Sequence, residues 1–340
     1  MIHQRIRHAR LYHGWSQAKL ADMIGVTQPA VSQAEKTGNI SPENLAAIAE
    51  VTGFSPEWFE RGNLPDLPMG SLRFRKRASA TRTDDERIRA IVRQMLETVD
   101  RLSPGLDLPP IRVLPCSATE EITEDWIEIL AVQAREWLGI GPDDPIPSVV
   151  RAVERAGVIV MGCALPIKAH DAVSFWSPEG GRPVICFSRG YSGDRQRLSI
   201  GHELGHLVLH YLRSPEPRLA EREAFRFGAA LLLPITAARD ELEPPITLRS
   251  LAYVKAKWGI SIASLIKRCV DLQIITPEKR ESLEKQLSAR GWRKEEPVHV
   301  PDERPILVSQ IVEASLGSVS SQRLHMALGL PVLACKDLVA

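Results

Sequence analysis

The sequence predicts a multi-domain, mainly α chain with one α+β unit inside it, and three observations carry that prediction. Apolar residues recur at helical spacing along most of the chain and are broken by glycine and proline at intervals. Only three short runs, GVIVMG, AVSFW and PVICF between Gly157 and Phe187, have the β-branched and apolar character of strands. At 340 residues the chain also exceeds what one core usually supports, so two or three domains are expected.

Residues 1 to about 62 read as one all-α unit, with turns at Gly14, Gly25, Gly38 and Gly53. The stretch MGSLRFRKRASATR, Met69 to Arg82, then brings five basic residues and no acidic one. It leads into a helix near Asp84 to Leu102, closed by the proline-rich SPGLDLPPIRVLP. From about Thr123 the pattern is mixed: helices Asp125–Leu138 and Ser148–Ala156, the three strands with SPEGGR as a hairpin turn, then helices Asp194–Leu212 and Arg218–Leu233, the second stopped by Pro234. From Thr247 onward the sequence reads as helical. The expected domains are 1–62, a basic linker and helix at 63–122, the α+β unit at 123–245, and a helical C-terminal region at 246–340.

Forty-three Lys and Arg face 42 Asp and Glu, so bulk charge does not draw the molecule to nucleic acid, and any such attraction is local. The five cysteines are scattered and form no C-x-x-C pair, which argues against a disulfide framework and a thiolate zinc knuckle. No secretory signal is visible, and AALLLPITAA is too short to cross a bilayer. A soluble cytoplasmic protein with no membrane partner is expected.

Within the first unit, SQAKLADMIGVTQPAVSQAEKTG directs Leu20, Ile24 and Val31 inward around Gly25, whose missing Cβ allows a sharp turn between two helices. Thr27 is placed to cap the second helix, and Pro29 falls in its first turn, where a missing N–H costs little. With NISPENLAAIAEVTGFSPEWF after it, this segment resembles the Cro/CI-type (Xre) helix-turn-helix domain over essentially all of residues 1–62. The resemblance places Gln28, Pro29, Ser32 and Gln33 on the groove-facing side of the recognition helix and Gln17 at the DNA backbone. Glutamine suits adenine, offering a donor and an acceptor together. Arg10 and Glu35 match a family ion pair that is structural. The competing reading is a helical bundle that only dimerises, since the unit's own charges balance and phosphate affinity needs Lys and Arg. The basic run after it could supply that charge or serve only as a solvated linker.

The second motif is GHELGHLVLH, Gly201 to His210. Residues four apart on a helix lie about 40° apart around the axis and about 6 Å along it, so His202 and His206 can both direct an imidazole at one ion. Glu203 points in a neighbouring direction, as suits a carboxylate that is no ligand but takes a proton from the attacking water. His210 stands a turn too far and is assigned to packing or to support of a ligand. A third ligand is needed, and RLAEREAFRFGAALLLP offers Glu221 and Glu223, which point about 200° apart. The stripe through Glu221 also holds Ala224, Phe225, Gly228 and Leu232, an inward face, whereas Glu223 is expected in solvent beside Arg222 and Arg226. Glu221 is therefore the expected third ligand of a Zn2+ ion. Tyr191, His170 and His210 are weaker candidates for an oxyanion donor.

DRQRLSIGHELGHLVLH and EREAFRFGAALLLP together resemble the ImmA/IrrE family of zinc metallopeptidases, and residues 254–297 are similar to the segment that follows the peptidase in members with an N-terminal Xre domain. The resemblance implies a zincin-like peptidase domain, zinc, a glutamate ligand on the next helix, and cleavage of regulatory proteins, commonly repressors. Two residues depart from the family pattern: Gly201 replaces a usual alanine, and Phe225 stands where Asp or Asn is often found. The expected function is a DNA-binding transcriptional regulator with zinc endopeptidase activity, acting as a homodimer on an operator and on a repressor or on itself. The alternative is a non-enzymatic Xre-type transcription factor or antitoxin-like repressor with a zinc-bound scaffold.

Overall fold

The computed structural model describes residues 1–67, 81–117, 121–163, 171–177, 181–317 and 319–339. The basic run from Met69 to Ala80, and His170, lie outside the described residues. The architecture is mainly α, with an α+β region around one three-stranded sheet.

The first five helices are α1 (Ile2–Tyr12), α2 (Gln17–Ile24), α3 (Gln28–Thr37), α4 (Pro42–Thr52) and α5 (Pro56–Glu60). Ser16 and Ser41 cap α2 and α4 by accepting from the N–H groups of Lys19 and Asn44. Gly25, at φ 71°, makes the left-handed turn between α2 and α3 that a side chain would strain. Leu20 and Val31 are buried and Ile24 is half-buried, as their spacing predicts. Thr27 departs from expectation: it holds the cap position of α3 without a side-chain bond.

Helix α6 (Arg82–Leu102) opens with a reciprocal Thr81–Asp84 capping box and packs against α1, where Arg5 Nη2 donates to Glu97 Oε1 at 2.5 Å. Helices α7 (Glu124–Trp137) and α8 (Val149–Arg155) lead into β1 (Ile159–Cys163), β2 (Ala172–Trp176) and β3 (Pro183–Ser188). The sheet order is β1-β3-β2, with β1 parallel and β2 antiparallel to β3. The expected hairpin between AVSFW and PVICF is thus the β2–β3 pair, and β2 is an edge strand. Alternation sends Met161, Cys163, Val173 and Cys186 into the core shared with α6 and the last helices, and Val160, Ala172, Ile185 and Phe187 toward the opposite layer.

That opposite layer is α9 (Gly193–Leu209) and α10 (Pro217–Leu232). Helix α9 stops three residues short of the expected Leu212 because His210 leaves helical geometry at φ −125°. The chain continues through α11 (Ile235–Glu241), α12 (Leu248–Trp258), α13 (Ile262–Asp271) and α14 (Pro277–Ala289). Residues 293–306 then form neither helix nor strand, unlike the helical run expected there. Helices α15 (Leu307–Leu316), α16 (Ser321–Leu328) and α17 (Val332–Val339) close the chain. They return to the N-terminal unit, where Ser55 N donates to Gly329 O at 2.9 Å and Arg61 Nη1 to Leu328 O at 2.6 Å.

Candidate metal centre and nucleic-acid interface

Helices α9 and α10 approach closely because small residues line their contact. A Cβ on Gly228 would lie 2.7 Å from His202 N, one on Gly201 would lie 3.2 Å from the Gly228 Cα, and one on Gly205 would meet Ala224 at 3.1 Å. Gly201 thus faces Gly228 directly across the helix pair.

This approach brings the predicted ligands together. His202 and His206 direct their Nε2 atoms to within 3.0 Å of each other. From α10, Glu221 places Oε2 3.4 Å from His202 Nε2 and Oε1 3.3 Å from His206 Nε2. One ligand atom from each lies within 4.8 Å of the others. Bonds of about 2.0–2.2 Å to a tetrahedral ion separate its ligand atoms by about 3.3–3.6 Å. The two spacings to Glu221 match this and the 3.0 Å between the imidazoles is a little tighter, and two imidazoles with a carboxylate are a donor set that suits zinc. Burial by itself would raise the Glu221 carboxyl, but hydrogen bonds and charge from His202 and His206 in their protonated, metal-free form outweigh it and hold the group well below the usual carboxylate range.

Behind His206 lies a second contact chain. His206 Nδ1 is 2.9 Å from His210 Nδ1, and His210 Nε2 is 2.9 Å from Glu223 Oε2, which also receives Arg213 Nη1 at 3.4 Å. Glu223 is therefore buried rather than solvated, a correction to its expected pairing with Arg222 and Arg226. The physical reason is the end of α9: once His210 leaves the helix, its ring turns to meet the face of α10 that carries Glu223. Arg226 pairs instead with Glu124 and Glu128 of α7. The two ring nitrogens of His210 are thus turned to His206 and to Glu223.

Glu203 is buried against β2, where Ser174 Oγ donates to its Oε2 at 2.6 Å. No sequence motif marked Ser174; only strand pairing places it over α9. His202 and Glu203 open onto a cavity of about 740 Å3. Tyr191 also lines it, but its ring is covered by the Arg195 guanidinium, 4.0 Å from the centroid. Phe225 lines it too, and its ring carries Lys267 Nζ at 4.2 Å.

In the N-terminal unit, Gln28, Pro29 and Gln33 are exposed on α3 and Ser32 is half-buried. Gln28 Nε2 donates to Gln17 Oε1 at 2.8 Å, and Gln17 Nε2 donates to Glu35 Oε2 at 2.8 Å. Glu35 is gripped by Arg10 through Nε at 2.5 Å and Nη2 at 2.9 Å, and both partners are buried. The Arg10–Glu35 pair therefore anchors a file of amides that ends at the exposed tip of α3.

Two family models match the chain. Residues 6–59 match the helix-turn-helix family, and residues 153–270 match a peptidase family described as the IrrE N-terminal-like domain. Among the described residues no helix is long and apolar enough to cross a membrane.

Proposed function

We propose that this chain, in which an Xre-type helix-turn-helix domain is joined to an ImmA/IrrE-like peptidase domain, is a DNA-binding transcriptional regulator and a zinc-dependent endopeptidase. Its substrate in this reading is a repressor, another regulatory protein or the chain itself, and cleavage changes gene expression. The convergence of His202, His206 and Glu221, with Glu203 beside them at a cleft, carries the reading.

Zinc held by His202, His206 and Glu221 would acidify a water molecule and polarise a peptide carbonyl. Glu203, fixed by Ser174, takes the proton of the attacking water and delivers it to the leaving amine. His210 and Glu223 hold the His206 ring so that its Nε2 lone pair faces the other ligands.

On the DNA side, Gln28, Pro29, Ser32 and Gln33 face base edges, and Gln17 reaches the phosphate backbone. Readers of this kind bind two half-sites, so the working form is a homodimer on an operator. Five buried free thiols fit a reducing cytoplasm. We assign residues 1–62 to the reader, 63–122 to a basic linker and helix, 123–245 to the peptidase and 246–340 to a helical C-terminal region.

The experiment is incubation of the zinc-loaded protein with the small regulators encoded beside its gene. Cleavage is expected, and Glu203→Gln is expected to stop it with zinc still bound. Cleavage that persists in the Glu203→Gln protein removes the catalytic assignment. One observation favours a zinc-bound scaffold instead: Phe225 presents an apolar ring to the cleft one turn after Glu221, where a polar group could support a ligand. Tight promoter binding without cleavage of any neighbouring regulator would support that second reading.

A further inference from the structure

The peptidase match stops at residue 270, but the cleft beside Glu203 is finished by residues well beyond it. After α14 the chain turns at Gly291, φ 73°, and residues 292–296 and 298–300 line the same cavity as His202 and Glu203. This strap has no helix or strand of its own beyond the turn. Two inward-pointing carboxylates hold it in place.

Glu296 accepts from Lys255 Nζ at 2.6 Å and from Ile262 N at 2.9 Å, at the start of α13. Lys255 in turn reaches Asp194 on α9 at 2.7 Å. Glu303 accepts from Ser148 Oγ at 2.6 Å, Val149 N at 2.9 Å and Arg197 Nη1 of α9 at 2.8 Å. Its own N–H donates to Gln196 Oε1 at 2.8 Å. Between these anchors, an added Cβ on Gly193, the first residue of α9, would fall 2.0 Å from Pro301 O. The chain from the strap onward is thus tied to α12 and α13 through Glu296 and set against the helix of His202 and Glu203 at Pro301 and Glu303. Buried carboxylates with several charge-assisted bonds are costly to misplace, so this is a built wall and not a solvated tail.

The strap's own charged side chains Arg293, Lys294 and Glu295 are exposed, and the cationic groups on the helices beneath are already paired. Lys255 is neutralised by Asp194 and Glu296, and Arg195 by Asp171. Apolar surface comes from both sides: Trp292, Val298 and Val300 on the strap, Leu198 and Phe225 on α9 and α10. We infer that residues 292–300 are the specificity-determining wall of the cleft, and that they select an extended peptide with a bulky apolar side chain beside the bond to be cut. This inference rests on reading the cleft as a peptidase site.

The test uses the zinc-loaded full chain carrying Glu203→Gln and short fluorescein-labelled alanine-serine peptides with one central Leu, Phe, Asp or Lys, read by anisotropy. Leu and Phe peptides are expected to bind at least about tenfold tighter than Asp and Lys peptides. Adding Val298→Asp, at a half-buried position that makes neither anchor contact, is expected to cut that preference to about twofold or less, with zinc content and thermal midpoint unchanged. Val298→Ser provides a milder variant expected to move the preference in the same direction. Absence of an apolar preference overturns the inference, as does a preference that both Val298 variants leave intact. If the unsubstituted protein cleaves nothing yet shows the strap-dependent preference, only the catalytic reading fails. If it cleaves and the strap variants change no preference, the strap inference alone fails.

Discussion

His210 donates through Nε2 to Glu223 at 2.9 Å, since a carboxylate can only accept. With that proton placed, the Nδ1 of a neutral His210 is an acceptor, and the atom 2.9 Å from it is His206 Nδ1. His206 must then carry its proton on Nδ1, which leaves the Nε2 lone pair free on the side of His202 and Glu221. Glu223→Ala removes the end of this chain. Zinc affinity, measured by competition with a chelator, is expected to fall about 10–100-fold with secondary structure retained. An unchanged affinity would show that His206 needs no such support.

Glu203→Gln keeps the shape of the side chain and removes its basicity. Peptide hydrolysis is expected to fall by about 100 to 10,000-fold while bound zinc stays at the parent level, whereas His202→Ala is expected to lose the metal. Metal analysis and a cleavage assay on the same samples separate the two roles.

Gly228→Ala tests the helix contact that assembles the site. Its new methyl would lie 2.7 Å from His202 N and 2.9 Å from Gly201 C, both backbone atoms that cannot swing aside. Helix α10 must shift, at a cost of about 1–3 kcal/mol, and carry Glu221 away from the histidines. A lower unfolding midpoint together with weaker zinc binding is expected. A drop in stability with unchanged zinc affinity would show that Glu221 is no ligand.

Burial pushes the Glu154 carboxyl up to about 7, more than the N–H groups of Leu307 and Ile306 and the nearby Arg151 pull it down. Because the folded value lies above the ordinary 4.5, the contribution is fully present below about pH 4.5 and is lost as pH rises through about 7. Glu154→Gln removes the titration. The parent protein's unfolding midpoint, followed from pH 5 to 8, is expected to lose ground relative to this variant. Parallel midpoints across that range would dismiss the effect.

Gln28→Ala removes the exposed end of the amide file. Operator affinity is expected to fall by about 1–3 kcal/mol, with discrimination relaxed at one adenine, and the salt dependence of binding is expected to stay the same. An equal loss on random-sequence DNA would reassign Gln28 to backbone contact.

Local patterns in the sequence determined the two ends of the molecule's chemistry. Four-residue spacing alone puts His202 and His206 on one helix face, and Gly25 with Pro29 alone marks the turn into α3, because both depend on helix geometry within a few residues. The choice of Glu221 over Glu223 as the ligand-facing carboxylate also came from helix periodicity, but the fate of Glu223 did not. That depended on where α9 ends and on which face of α10 meets His210, relations between segments that no single helix encodes. Ser174 reached Glu203 only through β2 pairing with β3, and the strap met the cleft only because Glu296 and Glu303 found partners on other helices. Helix period and turn chemistry are short-range forces and can be read from neighbours in the chain. Hydrogen bonds between residues a hundred positions apart exist only once the core has packed them together.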